Sequence, residues 1–73
     1  MLVLNKRIKE LRKSKNLTQK QFAEILDVQI SSVKKFENGT RRPVLDKLIV
    51  IADYFHVSLD YLVGRTENSE VNQ

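Results

Sequence analysis

Apolar residues recur at helical spacing along the chain, and no stretch alternates apolar and polar positions as a half-buried strand does. The first stripe has the spacing i, i+4, i+7 and consists of Leu4, Ile8 and Leu11. Residues at this spacing share one side of a helix. The stripe predicts a first helix over about residues 5–15, with Asn5 as a candidate N-cap and Asn16 as a left-handed stop.

Two short helices are predicted next, separated by a three-residue turn. Thr18 and Gln21 have the spacing of a capping box, in which each side chain satisfies the backbone amide of the other residue. The helix that they open carries Phe22, Ala23 and Leu26. Residues 27–29 are predicted to form the turn, and the third helix is predicted to end at Asn38-Gly39, a pair that tolerates positive φ.

The remaining apolar positions predict a fourth and a fifth helix. Pro43 suits the first turn of the fourth, whose inner face would hold Leu45, Leu48, Ile49, Ala52 and Phe55. Ser58 is placed to cap a short fifth helix that carries Leu59 and Leu62. We therefore expect an all-α domain of five helices over residues 1–63, followed by a polar and flexible tail, residues 64–73.

Helices two and three with their short turn have the arrangement of a helix-turn-helix motif. If Val33 and Phe36 point to the core, steps of about 100° per residue turn Ser31, Lys34 and Lys35 outward. A solvated helix face and a surface that reads a polyanion would both have this pattern. A second feature is needed to choose between them.

The distribution of charge supplies that feature. The 73-residue chain has a net charge of +4, but the part through Arg42 has eleven Lys or Arg and four acidic residues, a net +7. From Pro43 onward there are two basic and five acidic residues, a net −3. This division indicates that the first part faces a polyanion and that the second part has another role.

Cysteine usage and hydropathy indicate the compartment. The absence of Cys excludes a disulfide framework and thiolate metal sites, and it fits a reducing compartment. The opening MLVL is too short for a signal sequence, and no apolar run approaches the roughly 20 residues of a membrane span. We therefore expect a cytoplasmic protein without membrane association.

Three motifs, LTQKQFAE, FENGTRRP and VSLDYL, give residues Arg7 to Leu62 a specific resemblance when their order and spacing are taken together. The stretch resembles the Cro and lambda-repressor-like helix-turn-helix family, also called the xenobiotic-response-element regulators. The resemblance implies a five-helix DNA-binding domain whose third helix enters the major groove, usually as a dimer on a near-palindromic operator. A transcriptional regulator, most simply a repressor of phage or mobile-element type, is the function it implies.

The resemblance also implies two sets of DNA contacts. The expected base-contacting residues are Gln29, Ile30, Ser31 and Lys35, and Lys34 is added because it lies on the same outward face. The expected phosphate-contacting residues are Gln19, Asn38, Thr40 and Arg42, and Arg41 is added because it belongs to the basic turn GTRRP. Each has a simpler alternative, because Lys34 and Lys35 could be an ordinary solvated face and Ile30 could extend the edge of the core.

Three residues depart from the family pattern, and a fourth needs a charged partner. Asp27 replaces the usual turn glycine, and Gln29 replaces the serine that commonly caps the third helix and is thereby left available to the groove. His56 stands where a helix-ending glycine is common, and a surface helix-end residue explains it better than a metal ligand or pH switch. Glu37 would oppose the helix dipole, so it needs a cationic partner, which the resemblance identifies as Arg12.

Catalysis is not supported by the chain. It has a single His, no Cys, no glycine-rich phosphate loop and no His-acid cluster at metal spacing. We therefore expect no enzyme activity, no cofactor and no small-molecule substrate.

Three binding functions stay open. Besides a regulator, the chain could be an antitoxin that also masks a toxin, although only the ten-residue tail would be available for that contact. It could also be a helical protein-interaction module that never meets DNA. Val50, Tyr54 and Tyr61 lie outside the inward stripes, and either such a module or a homodimer interface would explain them.

Overall fold

Five helices follow one another in the computed structural model, which describes residues 2–70. Their bounds are α1 Leu2–Ser14, α2 Gln19–Leu26, α3 Ile30–Asn38, α4 Leu45–Phe55 and α5 Leu59–Leu62. No strand occurs among the described residues, so the prediction of an all-α, five-helix fold is confirmed. The first residue of the predicted domain and residues 71–73 of the predicted tail lie outside the described part.

Local signals set the helix ends around the helix-turn-helix motif. The capping box is present, since Gln21 N–H donates to Thr18 Oγ1 at 3.0 Å and Thr18 N–H donates to Gln21 Oε1 at 2.8 Å. Asp27 ends α2 in the left-handed conformation with φ 56°, and Gly39 ends α3 with φ 85°. Ser58 caps α5 by accepting from Tyr61 N–H at 3.0 Å. Each of these ends was predicted from the sequence.

Two predicted helix starts are wrong. Helix α1 begins at Leu2, so Asn5 is not an N-cap, and its amide Nδ2 instead donates to the Glu37 carbonyl at 3.3 Å. Helix α4 begins at Leu45 after an N-cap at Val44, which leaves the buried Pro43 before the helix and not in its first turn. The contact of Asn5 with Glu37 and the burial of Pro43 both depend on the tertiary structure, which the local sequence pattern does not show.

The inner face of α4 is rotated from its predicted position. Ile51, Ala52 and Phe55 are buried, whereas Leu45 is 62% exposed and Ile49 is 40% exposed. The run from Leu48 to Ala52 is apolar at every position, so its periodicity alone does not select one face. The contacts of α4 with α2 and α5 make the selection.

The core joins all five helices, and its arrangement leaves one side of α3 free. Helix α3 packs on α1 and α2, α4 packs on α2 and α5, and α5 packs on α1. At the centre, the rings of Phe22 and Phe55 lie 5.9 Å apart between centroids. Ala23, the small residue of α2, is also buried in this core.

The beginning of the tail contacts the helices. Arg7 on α1 donates to the carbonyls of Tyr61 and Thr66, and its guanidinium also pairs with the Glu67 carboxylate at 3.1 Å. Ser58 N–H donates to the Ser69 carbonyl at 3.1 Å. The path of residues 65–69 is therefore defined by specific contacts, and the flexibility assigned to the tail stays a prediction.

Candidate nucleic-acid interface

Helix α3 is held by one face and exposed on the other. Val33 and Phe36 are buried, at 0% and 4% exposure. On the opposite side Ser31, Lys34 and Lys35 are exposed. Burial of the two apolar residues fixes the rotation of the helix, and this rotation brings the three polar side chains together toward solvent.

The N-terminal end of α3 extends the same exposed surface. Gln29 is the N-cap residue, is exposed and makes no side-chain capping bond, so its amide is uncommitted within the described residues. Ile30 is 40% exposed, which places it at the surface instead of in the core. All five predicted base-contacting residues therefore share one exposed surface.

A buried ion pair secures the C-terminal half of α3. Arg12 Nε lies 2.6 Å from Glu37 Oε2, and Arg12 Nη2 lies 3.1 Å from Glu37 Oε1. Arg12 Nη1 also donates to the Leu17 carbonyl at 2.8 Å. Both side chains are nearly inaccessible, at 11% for Arg12 and 4% for Glu37. The predicted pairing is confirmed, and it ties α3 to α1 and to the segment before α2.

Gln19, the first residue of α2, joins this pair. Its Nε2 donates to Glu37 Oε1 at 3.2 Å, and the residue is half-buried. One amide hydrogen is thus used internally and the other is left for an external acceptor. The sequence suggested an external contact for Gln19 but gave no sign of the internal one.

The turn after α3 is ordered by its own hydrogen bonds. Asn38 Oδ1 accepts from Thr40 N–H at 3.0 Å and from Thr40 Oγ1 at 2.7 Å. The carbonyl of Lys35 accepts from the amides of residues 39, 40 and 41. Arg42, the next residue of this turn, is exposed. The predicted phosphate-contacting residues from Asn38 to Arg42 therefore lie together at the end of α3 and in the exposed segment that follows it.

Arg41 makes a contact with α3 itself. Its Nη1 lies 3.5 Å from Ser32 Oγ, a long contact that places the guanidinium alongside α3. Ser32 was not among the predicted site residues, although it lies next to Ser31 on the flank of the same helix. Only the conformation of the turn brings residues 32 and 41 together, so no sequence spacing could have indicated it.

The three residues predicted for a homodimer interface have unlike surroundings. Val50 and Tyr54 are 38% and 39% exposed on α4. Tyr61 is half-buried, and the guanidinium carbon of Arg7 lies 4.0 Å from its ring centroid. Val50 and Tyr54 are thus open to a partner, while a large part of Tyr61 is already covered.

Sequence reasoning missed a second exposed apolar surface on α4 and α5. Leu45 and Ile49 were placed in the core by their spacing, yet both are exposed, together with Leu59, which is 38% exposed. The sequence feature that could have indicated this surface is the uniform hydrophobicity of α4, since a helix with apolar residues around most of its circumference cannot bury all of them against one neighbour.

In the part of the chain that the structure describes, no helix is long and apolar enough to cross a lipid bilayer.

The chain matches a family model described as helix-turn-helix over residues 8–62. It is 37% identical over 70 residues to the HTH-type transcriptional regulator ImmR of Bacillus subtilis, covering 96% of this chain and 55% of that protein. It is 36% identical over 67 residues to the cryptic phage CTXphi transcriptional repressor RstR of Vibrio cholerae, covering 92% of this chain and 60% of that protein. The antitoxin PezA of Streptococcus pneumoniae is 37% identical over 62 residues, covering 85% of this chain and 39% of that protein. The chain thus spans little more than half the length of the two regulators.

Two solved structures have the same fold. A transcriptional regulator from Listeria innocua superposes with a TM-score of 0.82 at 35% identity, covering 94% of this chain and 64% of that one. The restriction-modification controller protein C.AhdI from Aeromonas hydrophila superposes with a TM-score of 0.73 at 26% identity, covering 84% of this chain and 92% of that one. These two proteins are named as a transcriptional regulator and a controller protein. The family match, the relatives and the geometry of α2 and α3 agree that this chain belongs to the helix-turn-helix family of Cro and lambda-repressor-like transcriptional regulators.

Proposed function

We propose that this chain binds double-stranded DNA sequence-specifically as a small transcriptional repressor of phage or mobile-element type, with α3 in the major groove of a near-palindromic operator. The observation that carries the proposal is the exposed face of α3, which presents Ser31, Lys34 and Lys35 while Val33 and Phe36 are buried. An α-helix fits the width of the major groove. A repressor of phage type is favoured by the likeness to RstR, which is named as one.

The chemistry of this face suits the edges of base pairs. The side-chain amide of Gln29 can donate one hydrogen bond and accept another at the same time, and adenine offers the matching acceptor and donor in the major groove. Lys35 can donate to the acceptor atoms of guanine. Ser31 bonds to either kind of edge, and Ile30 offers an apolar surface to a thymine methyl group. Lys34 adds positive charge beside them. These side chains would supply the sequence preference.

Phosphate contacts would position α3 in the groove. The turn after α3 offers Asn38, Thr40, Arg41 and Arg42, and its internal hydrogen bonds hold the backbone before DNA arrives. The start of α2 offers the second amide hydrogen of Gln19 together with the positive end of the helix dipole. Such contacts fix register and orientation and carry little sequence information.

The salt dependence of binding tests the partner class. If a dimer makes roughly 6–10 phosphate contacts, log affinity for duplex DNA should fall steeply with log salt, because each neutralised phosphate releases a counterion. Fluorescence anisotropy with a labelled duplex, measured between about 0.05 and 0.2 M salt, gives the slope. A flat titration would exclude DNA as the partner and favour the protein-interaction module.

We also propose a two-fold homodimer through α4 and α5, with Val50 and Tyr54 as its exposed apolar contacts and Tyr61 at the edge. In such a dimer the two α3 helices would have to lie about one helical turn of DNA apart, ~34 Å, to enter successive major-groove half-sites.

Replacement of Tyr54 by serine is expected to raise the protein concentration that half-occupies the operator DNA by about tenfold. The reason is that the substitution removes apolar contact area from the homodimer interface. Sedimentation with operator DNA should show two copies per site for the unaltered protein. Val44→Ser, which changes a residue that is 65% exposed before α4, is the control and should keep this behaviour. One copy per site in the unaltered protein would contradict the symmetric arrangement.

A second candidate function is that of an antitoxin, which the likeness to PezA favours. Both functions include DNA binding, so the salt titration does not separate them. Co-expression separates them, because an antitoxin would restore growth to cells that produce its toxin, whereas a regulator without a toxin partner would not.

A further inference from the structure

A groove of about 760 Å³ lies between the end of α4, the start of α5 and the beginning of the tail. The lining residues that matter for its chemistry are Ile49, Asp53, His56, Leu59, Asp60 and Glu70. None of them belongs to α3 or to the turn that follows it. The groove is therefore separate from the candidate DNA interface.

The apolar residues of the groove face solvent. Ile49 is 40% exposed and Leu59 is 38% exposed, and Leu45, one helical turn before Ile49, is 62% exposed. A contiguous set of exposed branched side chains on a small domain marks a contact surface more often than chance does. A partner that covered them would gain free energy in proportion to the apolar area removed from water.

The rim of the groove is acidic in a chain whose net charge is +4. Among residues 2–70, Asp53 and Glu70 form no ion pair. Asp60 has one loose pairing, with Arg65 at 3.8 Å, and its side chain is 58% exposed. His56, the remaining titratable group of the rim, is exposed. The groove thus combines apolar residues with uncompensated negative charge.

The tail builds one wall of this groove. Gly64 turns the chain with φ 90°, and a Cβ there would lie 2.9 Å from a methyl carbon of Val3. The bond from Ser58 N–H to the Ser69 carbonyl then holds the segment beside the start of α5. Glu70 reaches the rim because of these constraints.

We propose that this groove binds a basic amphipathic segment of a partner protein, a helix with apolar residues on one face and Lys or Arg at its borders. The apolar face would cover Ile49 and Leu59, and the basic borders would approach Asp53 and Glu70. Charge complementarity decides against a second copy of this chain as the occupant, because a two-fold contact sets each acidic rim against its own equivalent. The groove leaves α3 exposed, so the partner and DNA bind at the same time.

The probe is a fluorescent peptide of about fourteen Leu and Lys residues, with leucine at the spacing of an amphipathic helix. Its affinity for the full chain is measured by anisotropy, with an otherwise equal peptide of Leu and Glu as the negative probe. Ile49→Ser should weaken binding of the basic peptide by about tenfold. Asp53→Asn should weaken it by about threefold at low salt and less at high salt.

Two matched controls make the test specific. Val44→Ser removes an exposed apolar residue, at 65%, that lies before α4 and does not line the groove, and it should leave peptide affinity unchanged. Glu24→Gln removes an exposed acid from α2, outside the groove, and should also have no effect. Duplex DNA should be bound equally by the unaltered protein and Ile49→Ser, so that a failure of DNA binding is recognised independently of the groove.

Three results would overturn the proposal. The first is absence of saturable peptide binding, and the second is equal weakening by Ile49→Ser and Val44→Ser or by Asp53→Asn and Glu24→Gln. The third is loss of self-association in Ile49→Ser by sedimentation, which would make a second copy of the chain the occupant. Thermal unfolding of each variant verifies that these exposed substitutions leave the fold intact.

Discussion

Replacing Arg12 with methionine is expected to lower the free energy of unfolding by about 3–5 kcal/mol, because the Glu37 carboxylate would stay buried without its cation. The side chain of Glu37 is only 4% exposed, and its neighbouring donor, Gln19, carries no charge to replace the guanidinium. A domain of 73 residues has a free energy of unfolding of roughly 4–11 kcal/mol. The variant would therefore lose a large fraction of its stability.

The measurement is urea unfolding followed by circular dichroism for Arg12→Met, Glu37→Met and the double variant. The double variant should lose less than the sum of the single losses, because removal of both partners leaves no uncompensated charge in the core. Arg65→Met is the matched control, since Arg65 pairs with Asp60 at 3.8 Å while 77% of its side chain is exposed. That surface pair should contribute less than about 1 kcal/mol. Equal losses for Arg12→Met and Arg65→Met would show that the buried pair has no special role.

The helix-turn-helix core was predictable because its signals are local. The capping box at Thr18 and Gln21 lies within one helical turn, and Gly39 and Ser58 act on their own backbone or on a residue three positions away. Asp27 adopted the left-handed conformation although it is not glycine. These helix ends depend only on contacts between residues close together in the chain, so the local sequence specifies them almost completely.

Contacts between distant segments were not predictable. Asn5 was expected to begin a helix, but its amide reaches a carbonyl 32 residues later. Arg7 contacts the tail about 60 residues away, which no periodicity indicates. The exposed face of α4 follows from how α2 and α5 are arranged around it. In each case the choice among equivalent local patterns was made by packing.

The candidate DNA interface also has some features that the sequence indicates and others that only the structure shows. The outward face of α3 follows from the positions of Val33 and Phe36, so its members could be named from the sequence. The internal bond of Gln19 and the approach of Arg41 to Ser32 required the relative placement of α1, α2 and the turn. Sequence therefore indicated which side chains are available, and the structure indicated which of them are already engaged.

Replacing Lys35 with alanine is expected to relax the sequence preference of binding at one or two base pairs in each half-site. Lys35 lies on the exposed face of α3, from which its ammonium group can donate to base edges, and a lost contact of this kind costs about 1–3 kcal/mol at that base pair only. Ser31→Ala should relax the preference more weakly, because a hydroxyl group can bond to donor and acceptor base edges and therefore discriminates less between base pairs.

Replacing Arg42 with alanine should have a different effect. Arg42 lies in the turn after α3, beside the expected path of the sugar-phosphate backbone. Its loss should weaken binding to all sequences about equally and should make the slope of log affinity on log salt shallower by about one unit per lost phosphate contact. Lys9→Ala, which removes an exposed lysine from α1, controls for the change in net charge alone.

The operator is first selected from random duplexes, and affinity is then measured for the unaltered protein and the four variants against every single-base change of the selected site. Two salt concentrations are used, so that preference and salt slope are obtained from the same data. Arg42→Ala should preserve the ranking of the sites while Lys35→Ala changes it. If Lys35→Ala lowered affinity uniformly across all sites, Lys35 would be a phosphate-binding or solvated residue, and sequence preference would have to come from Gln29, Ile30 and Ser31 at the other end of α3.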